Sequence, residues 1–272
     1  MINWVKLQII KNGTAGYVIW DGRLITWGNL ILPILNNVHK VTISSHKTQI
    51  LHNNGTVTVV SDFPAPWKPQ KIDSNHLITD IETLYGSAVY LLDNKYLFYE
   101  SSNKWVELSM NVNKIIGADN GIVLWTSRNN LVYLGDSEIP LVIAKGVKYV
   151  NETTDYIFYT LEESVYIIQK DNPTYPHQLL DLEGFLIITE QLALSDGGLV
   201  AVWNTNGHVY DYIDFPRRII YIYSHYDSHF AIDETGDIWV WGSNINDRLG
   251  LNDASILFIE TPIINKRISR HG

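Results

Sequence analysis

Short apolar segments that alternate with polar turns recur along the whole chain of 272 residues. The clearest copy is 229–250, HFAIDETGDIWVWGSNINDRLG, in which two strand patterns flank a tight turn at Gly236. Six further turns of this kind are centred at Gly22, Gly55, Asn94, Asn129, Glu163 and Gly207. Successive turns are 33, 39, 35, 34, 44 and 29 residues apart. Seven repeat units therefore account for the chain without a separate linker.

The residues at these turns suit two-stranded hairpins. Asn, Gly and Asp tolerate the positive φ angles that short hairpin loops require. The turn at Glu163 lacks Gly, and a looser or bulged connection is expected there.

Each predicted hairpin has a strand before it and another after it. The preceding strands are rich in β-branched residues and begin at Trp4, Val38, Leu77, Asn111, Val147, Phe185 and Arg217. After six of the hairpins, a loop and a proline lead into another apolar segment, at Pro33, Pro69, Pro140, Pro176, Pro216 and Pro262. Proline is tolerated at the first residue of an outer strand because that residue need not donate to the sheet. The third unit has KWVEL in this place.

Four short strands in each of seven units, without a convincing helix pattern, predict an all-β, seven-bladed β-propeller. We expect one domain over residues 1–272, with the strand that begins at Trp4 helping to close the ring of blades. Closure would protect the chain from long unpaired strand edges.

The composition narrows the class of protein. With 46% hydrophobic and 18% charged residues the chain can form a core, which excludes a disordered protein. A net charge of -9 without a basic stripe argues against direct nucleic-acid binding. There is no cysteine, and hence neither a disulfide nor a thiolate metal site. No signal-peptide pattern or membrane-spanning apolar run is evident, so we expect an intracellular protein or one assembled into a virion.

The segment 229–250 resembles the repeat of the regulator of chromosome condensation family. That repeat has His-x-x-Ala-Leu, a Gly turn, Val-x-x-Trp-Gly, and then Asn-x-x-Gly-x-Leu-Gly. The matching residues here are His229, Ala231, Ile232, Gly236, Ile238, Trp241, Gly242, Asn244, Leu249 and Gly250. Asp247 or Arg248 stands where the family usually has Gly-Gln, and the first repeat matches only in part. The resemblance implies a seven-bladed propeller, and for function either an interaction platform or nucleotide exchange on a small GTPase.

Catalytic and cofactor motifs are absent from the sequence. It contains no GxxxxGK[ST] loop, no HExxH and no GxSxG. We therefore expect no catalytic residue and no cofactor, and a small-molecule ligand is not favoured.

Three groups of side chains could suggest metal binding. His225 and His229 with Asp227 have suitable ligand types, but the favoured interpretation is that such a histidine belongs to the repeat and bonds to backbone. The acids around Gly236 (Asp233, Glu234 and Asp237) lack the spacing of a calcium loop and are interpreted as a solvated turn. The same interpretation applies to Glu162 and Glu163.

Most tryptophans are expected to pack between blades, namely Trp20, Trp27, Trp125, Trp203, Trp239 and Trp241. Trp67 and Trp105 lie in or beside predicted loops and are candidate partner anchors. The loop 243–253 keeps the family form, and the remaining candidate contacts are in it: Asn244, Asn246, Asp247 and Arg248.

The sequence favours a non-catalytic protein–protein interaction propeller, a structural or accessory part of a larger assembly such as a phage or virus particle. Two alternatives stay open. One is a small-GTPase regulator of the guanine nucleotide exchange type, which a nucleotide-release assay would test. The other is an enzyme or glycan-binding propeller with its site at the central channel, which a glycan array would test.

Overall fold

The computed structural model describes residues 5–9, 15–28, 32–43, 47–61, 69–70, 75–84, 87–153, 155–204, 207–253 and 255–269. In these residues seven sheets follow one another along the chain, and strands that are neighbours in sequence are neighbours in a sheet. The fold is an all-β, seven-bladed propeller, as the repeat predicts. Two compact units are present: Met1–Leu35, Lys148–Ile167 and His177–Gly272 form one, and Asn36–Val147 and Ile168–Pro176 form the other. A single domain closed by the N-terminal strand stays a prediction.

The first four sheets lie in chain order. The first contains β1 (Val5–Ile9), β2 (Ala15–Trp20) and β3 (Arg23–Gly28). The second contains β4 (Val38–Ile43), β5 (Lys47–His52), β6 (Val57–Ser61) and β7 (Pro69–Gln70). The third contains β8 (Ile78–Leu84), β9 (Ser87–Leu92), β10 (Tyr96–Tyr99) and β11 (Lys104–Glu107). The fourth contains β12 (Val112–Ala118), β13 (Gly121–Thr126), β14 (Leu131–Gly135) and β15 (Leu141–Ala144).

Three more sheets complete the chain. The fifth contains β16 (Val147–Glu152), β17 (Tyr156–Leu161), β18 (Ser164–Gln169) and β19 (Asn172–Leu179). The sixth contains β20 (Phe185–Ile188), β21 (Leu192–Ser195), β22 (Val200–Trp203) and β23 (Val209–Ile213). The seventh contains β24 (Ile219–His225), β25 (Ser228–Asp233), β26 (Ile238–Ser243) and β27 (Phe258–Ile264). Two single-turn 3₁₀ helices, Leu180–Leu182 and Ile245–Asp247, are the helices of the described residues.

The hairpin between the second and third strands was placed correctly in six sheets. Asp93 and Asn94 both have positive φ, 50° and 58°, which is the conformation of a two-residue hairpin turn. The looser connection expected at Glu163 is wrong, since only two residues join β17 to β18. Glu162 itself adopts a φ of 52° and so takes the role that Gly has elsewhere.

In the sixth sheet the predicted turn is wrong. Gly207 lies between β22 and β23, the third and fourth strands. The second and third strands, β21 and β22, are joined by residues 196–199, which include Gly197 and Gly198. With the turn at Gly197, the intervals of 44 and 29 residues become 34 and 39. The repeat is therefore more regular than the sequence pattern suggested.

The prolines are spread more widely over the outer strands than predicted. Pro69 begins β7 and Pro140 directly precedes β15, as expected. Pro176 and Pro262 instead lie inside β19 and β27, which an outer strand tolerates because one of its edges is unpaired. Pro216 follows β23 and precedes the next sheet, so its predicted place is wrong.

A β-bulge is repeated in the first strand of five sheets, where it lies at the second residue of the strand. These residues are His39, Thr79, Asn113, Leu186 and Ile220. A bulge inserts one unpaired residue and re-aims the side chains that follow it. In β4 and β8 the residues directly after the bulge are Lys40 and Asp80, and both are buried.

Asp80 connects three neighbouring sheets. Lys40 Nζ lies 2.9 Å from Asp80 Oδ1 and 3.2 Å from Glu82 Oε2. The backbone N–H of Ile115, in β12, donates to Asp80 Oδ2 at 2.8 Å. Lys40 is 5% exposed and Asp80 4%. A buried charge is stable only when it is paired or hydrogen-bonded. Here Lys40 and Asp80 pair with each other, and the N–H of Ile115 bonds to the carboxylate.

The apolar core lies between adjacent sheets. Of the tryptophans predicted to pack there, four are buried in such clusters or against them: Trp20, Trp27, Trp203 and Trp241. Trp125 and Trp239 are half-buried, and Trp239 packs against the cluster of the sixth and seventh sheets. Among the described residues, no helix has the length and apolar character needed to cross a membrane.

Candidate functional site

The loop 243–253 is held by the buried side chain of Asn244. Its Nδ2 donates to the carbonyl of Ile256 at 2.9 Å, and its Oδ1 accepts from the N–H of Leu249 at 3.0 Å. Asn244 is only 1% exposed. The side chain predicted as a partner contact therefore organises the loop from inside.

The same loop fastens the seventh sheet to the first. Trp27 of β3 donates its indole N–H to the carbonyl of Arg248 at 2.9 Å. Leu249 is fully buried in the cluster that contains Trp27. A Cβ on Gly250 would lie 3.1 Å from the Trp27 ring, and the Gly250 φ is +70°. The Leu-Gly of the repeat is thus part of an inter-sheet contact.

The remaining loop residues differ in exposure. Asn246 is exposed and has a φ of 62°. Asp247 is half-buried, and its Oδ1 accepts the N–H of Asn252 at 2.7 Å. Arg248 is also half-buried. Of the predicted contacts in this loop, Asn246 is thus the most accessible.

Trp105 belongs to an exposed aromatic group on the third sheet. It lies on β11 and is 43% exposed. Its ring centroid is 5.0 Å from that of Phe98 and 5.9 Å from that of His76. His76 in turn lies 5.3 Å from Tyr96. We call these four residues the Trp105 surface.

Charged side chains border the Trp105 surface. His76 Nδ1 lies 2.5 Å from Asp93 Oδ2, and this hydrogen bond holds the pKa of Asp93 below its usual range. Lys95 Nζ lies 2.6 Å from Glu107 Oε1 and 5.5 Å from the Tyr96 ring centroid. An aromatic centre with a polar rim is the composition of many protein interfaces. The other predicted anchor, Trp67, lies outside the described residues.

The paired histidines do not converge. In the β24–β25 register Ser224 faces His229, whereas His225 faces Ser228. Because neighbouring side chains point to opposite faces of a strand, the two rings are on different faces of the sheet. The described residues contain no group of three or more His, Cys, Asp or Glu placed to hold a metal ion.

Both histidines are desolvated. Burial lowers the pKa of His225, and it lowers that of His229 to about 4. Among the described residues, His225 Nε2 and His229 Nδ1 have no hydrogen-bond partner. The expected backbone bond is therefore not made by these two atoms.

Asp233 is buried, so the interpretation as a solvated turn is wrong for this residue, whereas Glu234 is exposed and Asp237 half-buried. Its Oδ1 accepts the N–H of Thr235 at 2.9 Å and that of Asp237 at 3.1 Å. Its Oδ2 accepts the indole N–H of Trp239 at 3.1 Å, and Arg217 Nη1 lies 3.3 Å away. Burial raises the pKa of Asp233, but these hydrogen bonds, with one from the Thr235 hydroxyl at 2.7 Å, together hold the pKa below its usual range. Both oxygens of the Asp233 carboxylate already accept hydrogen bonds from the protein, which fits a structural role and not calcium binding.

One cavity lies between the third and fourth sheets. Its volume is about 230 Å³, and Ser101, Lys104 and Glu138 are among its lining residues. Lys104 and Glu138 form an ion pair there. Ligand sites for drug-sized molecules usually have roughly 300–1,000 Å³, so the volume does not favour a small-molecule function.

Neither a family model nor a curated protein sequence matches the chain. Several solved structures are similar to it. Human WBSCR16 is 11% identical, with a TM-score of 0.62 over 89% of this chain and 84% of that one. Prp20p of Saccharomyces cerevisiae, the yeast RCC1, is 12% identical, with a TM-score of 0.59 over 84% of this chain and 76% of that one. The chain has an RCC1-like propeller fold.

The chain is also similar to other solved propellers. YCF48, solved bound to the D1 peptide, is 11% identical, with a TM-score of 0.61 over 90% of this chain and 86% of that one. Yeast RCC1 has been solved with Kap60, and the Prp20p structure was described with its binding to Gsp1p and histones. At such low identity, the likeness establishes the fold alone.

Proposed function

We propose that this chain is a non-catalytic propeller that binds a partner protein within a larger assembly. The observation that carries the proposal is the Trp105 surface. Trp105 is held by neighbouring rings, so little side-chain entropy remains to be lost when a partner covers it. Held aromatic side chains of this kind are frequent hot spots of protein interfaces.

Two further observations support a protein as the partner. The net charge of -9 opposes binding to a phosphate backbone. Structural neighbours have been solved with protein or peptide partners, Kap60 on yeast RCC1 and the D1 peptide on YCF48. We extend that behaviour, but not the identity of those partners, to this chain.

Affinity purification from the native source, followed by binding measurements with the protein it identifies, tests the proposal. Trp105→Ala should weaken that binding by about 30-fold, which corresponds to roughly 2 kcal/mol for a hot spot. The control is Tyr175→Ala, since Tyr175 is 66% exposed on a different sheet. Equal affinity of the wild-type protein and Trp105→Ala, or the absence of any retained partner, would contradict the proposal.

A virus or phage particle is the setting that we propose for the assembly. This part rests on the sequence, which combines a propeller pattern with no cysteine and no catalytic motif. Mass spectrometry of purified particles from the source tests it, because a structural component should be present in a fixed copy number. Its absence from intact particles would remove the setting but not the interaction.

A further inference from the structure

The sixth sheet ends in a strand whose outer edge is open. β23 is the last strand of this sheet and pairs with β22 along its inner edge. In the part of the chain that the structure describes, no strand pairs with its other edge. Such an edge presents backbone groups that can pair with another strand. In β23 the N–H of Tyr212 already donates to the side chain of its neighbour, Asp211 Oδ1, at 2.8 Å, so an added strand must take over that donor.

β23 lacks the residues that protect other outer strands. Proline or lysine lies in, or directly before, the fourth strand of each of the other four-stranded sheets that the structure describes: Pro69, Lys104, Pro140, Pro173, Pro176 and Pro262. β23 reads VYDYI, without proline, lysine or arginine. Tyr210 is 66% exposed and Tyr212 54%. A bulge at Tyr210 leaves Asp211–Ile213 as the regular part of the edge.

The segment that contains β23 is acidic, and two arginines, Arg217 and Arg218, directly follow it. Residues 177–216 contain six carboxylates and no lysine or arginine, which is -6 of the net -9 of the chain. The carboxylates are Asp181, Glu183, Glu190, Asp196, Asp211 and Asp214, and all except Glu190 are exposed. His208 lies 2.8 Å from Asp181, and Arg218 lies 3.9 Å from Asp196. Asp211 and Asp214 are at the open strand itself.

We propose that β23 binds an extended, basic segment of a partner protein as a fifth strand of the sixth sheet. Backbone hydrogen bonds to the open edge supply the binding mode. Lysine or arginine side chains of the segment pair with Asp211 and Asp214, and they contact the faces of Tyr210 and Tyr212. This surface is separate from the Trp105 surface, so either proposal can fail without the other.

The probe is a fluorescein-labelled peptide, acetyl-Lys-Val-Lys-Val-Lys-Val-amide, measured by anisotropy against the full chain at 0.15 M salt. Saturable one-to-one binding is expected. The same peptide with alternate backbone nitrogens methylated should bind at least tenfold more weakly, because it cannot donate to the sheet edge. The double variant Asp211→Lys/Asp214→Lys should also lose at least tenfold, with an unchanged circular dichroism spectrum.

The matched control is Asp119→Lys/Asp136→Lys, which makes the same change in net charge at two exposed turn residues that directly follow β12 and β14 of the fourth sheet. Its affinity for the peptide should stay within twofold of the wild-type value. Equal binding of the methylated peptide would reduce the interaction to surface charge and overturn the proposal, as would no binding at all. Sedimentation that shows a dimer, lost in Tyr210→Ala/Tyr212→Ala, would assign the edge to a second copy and also overturn it.

Discussion

Removing the Asp80 carboxylate should destabilise the second, third and fourth sheets together. Asp80→Ala leaves the Lys40 ammonium, 5% exposed, with Glu82 at 3.2 Å as its remaining acidic partner among the residues described. It also leaves the N–H of Ile115 without its acceptor. The lost charge-assisted bond costs about 1.5–3 kcal/mol and the unpaired buried N–H about 1–3 kcal/mol. We therefore expect a loss of about 4 kcal/mol, within the range for breaking a buried ion pair.

Urea unfolding at pH 7 measures this loss, and amide hydrogen exchange at Ile115 reports it locally. A double-mutant cycle of Lys40→Met with Asp80→Ala isolates the coupling between the two side chains. The coupling should be at least about 2 kcal/mol and should change little between 0.1 and 1 M salt, because buried charges are poorly screened.

The exposed pair of Lys95 and Glu107 is the control, with side chains 43% and 61% exposed. Its coupling should be clearly weaker than that of Lys40 and Asp80 and should fall with salt. The reasoning is refuted if Asp80→Ala costs less than about 1 kcal/mol, or if the Lys40 cycle has the salt dependence of the exposed pair.

Three further variants test individual contacts by the free energy of unfolding. Gly242→Ala should cost at least about 3 kcal/mol, because the new Cβ would lie 1.8 Å from the Asp227 carbonyl oxygen and the φ of Gly242 is +88°. Gly146→Ala is the control. Its φ is +75° but no atom lies near the new Cβ, so it should cost only about 1–2 kcal/mol. Asn244→Ala should cost about 2–4 kcal/mol because two buried hydrogen bonds are lost, and a loss below 1 kcal/mol would contradict the role of its side chain. Between pH 6.5 and about 4, His229 binds more protons in the unfolded chain than in the folded chain, because burial lowers its pKa in the folded state. The free energy of unfolding should therefore decrease as the pH falls through this window, by up to about 3 kcal/mol from this residue. His229→Gln should flatten that part of the pH profile, and an unchanged slope would exclude the assignment.

The fold was predictable because local and long-range signals agree in most repeat units. Alternating apolar residues around Asn or Gly turns specify a hairpin, and seven copies specify the blades. In the sixth unit the predicted turn is wrong because two segments there contain glycines suited to a turn, Gly197–Gly198 and Gly207. The strand before the first of these, LALS, is only four residues long. A longer apolar segment, LVAVW, precedes Gly207, and for that reason the sequence pattern favours the turn at Gly207.

The candidate sites were predictable only in part, since burial is set by neighbouring sheets. Asn244 and Asp233 look like loop acceptors open to solvent, yet both are covered. Trp105 is a candidate from sequence because it lies beside a predicted loop, where an exposed aromatic side chain can anchor a partner, but nothing local shows that His76 packs on it. Tyr210 and Tyr212 could have been noticed from the YDY alternation, in which large aromatic side chains flank an acid.

The hydrogen bond from Trp27 to Arg248 spans 221 residues of sequence. On a ribosome that adds about 5–20 residues per second, the first hairpin emerges roughly 10–40 s before the loop that covers it. Until then Trp27, Leu7 and Val18 lack the seventh-sheet side chains that bury them in the finished protein. The nascent chain thus carries an uncovered apolar hairpin until that loop has been made, and the yield of folded protein should depend on chaperones that shield this hairpin.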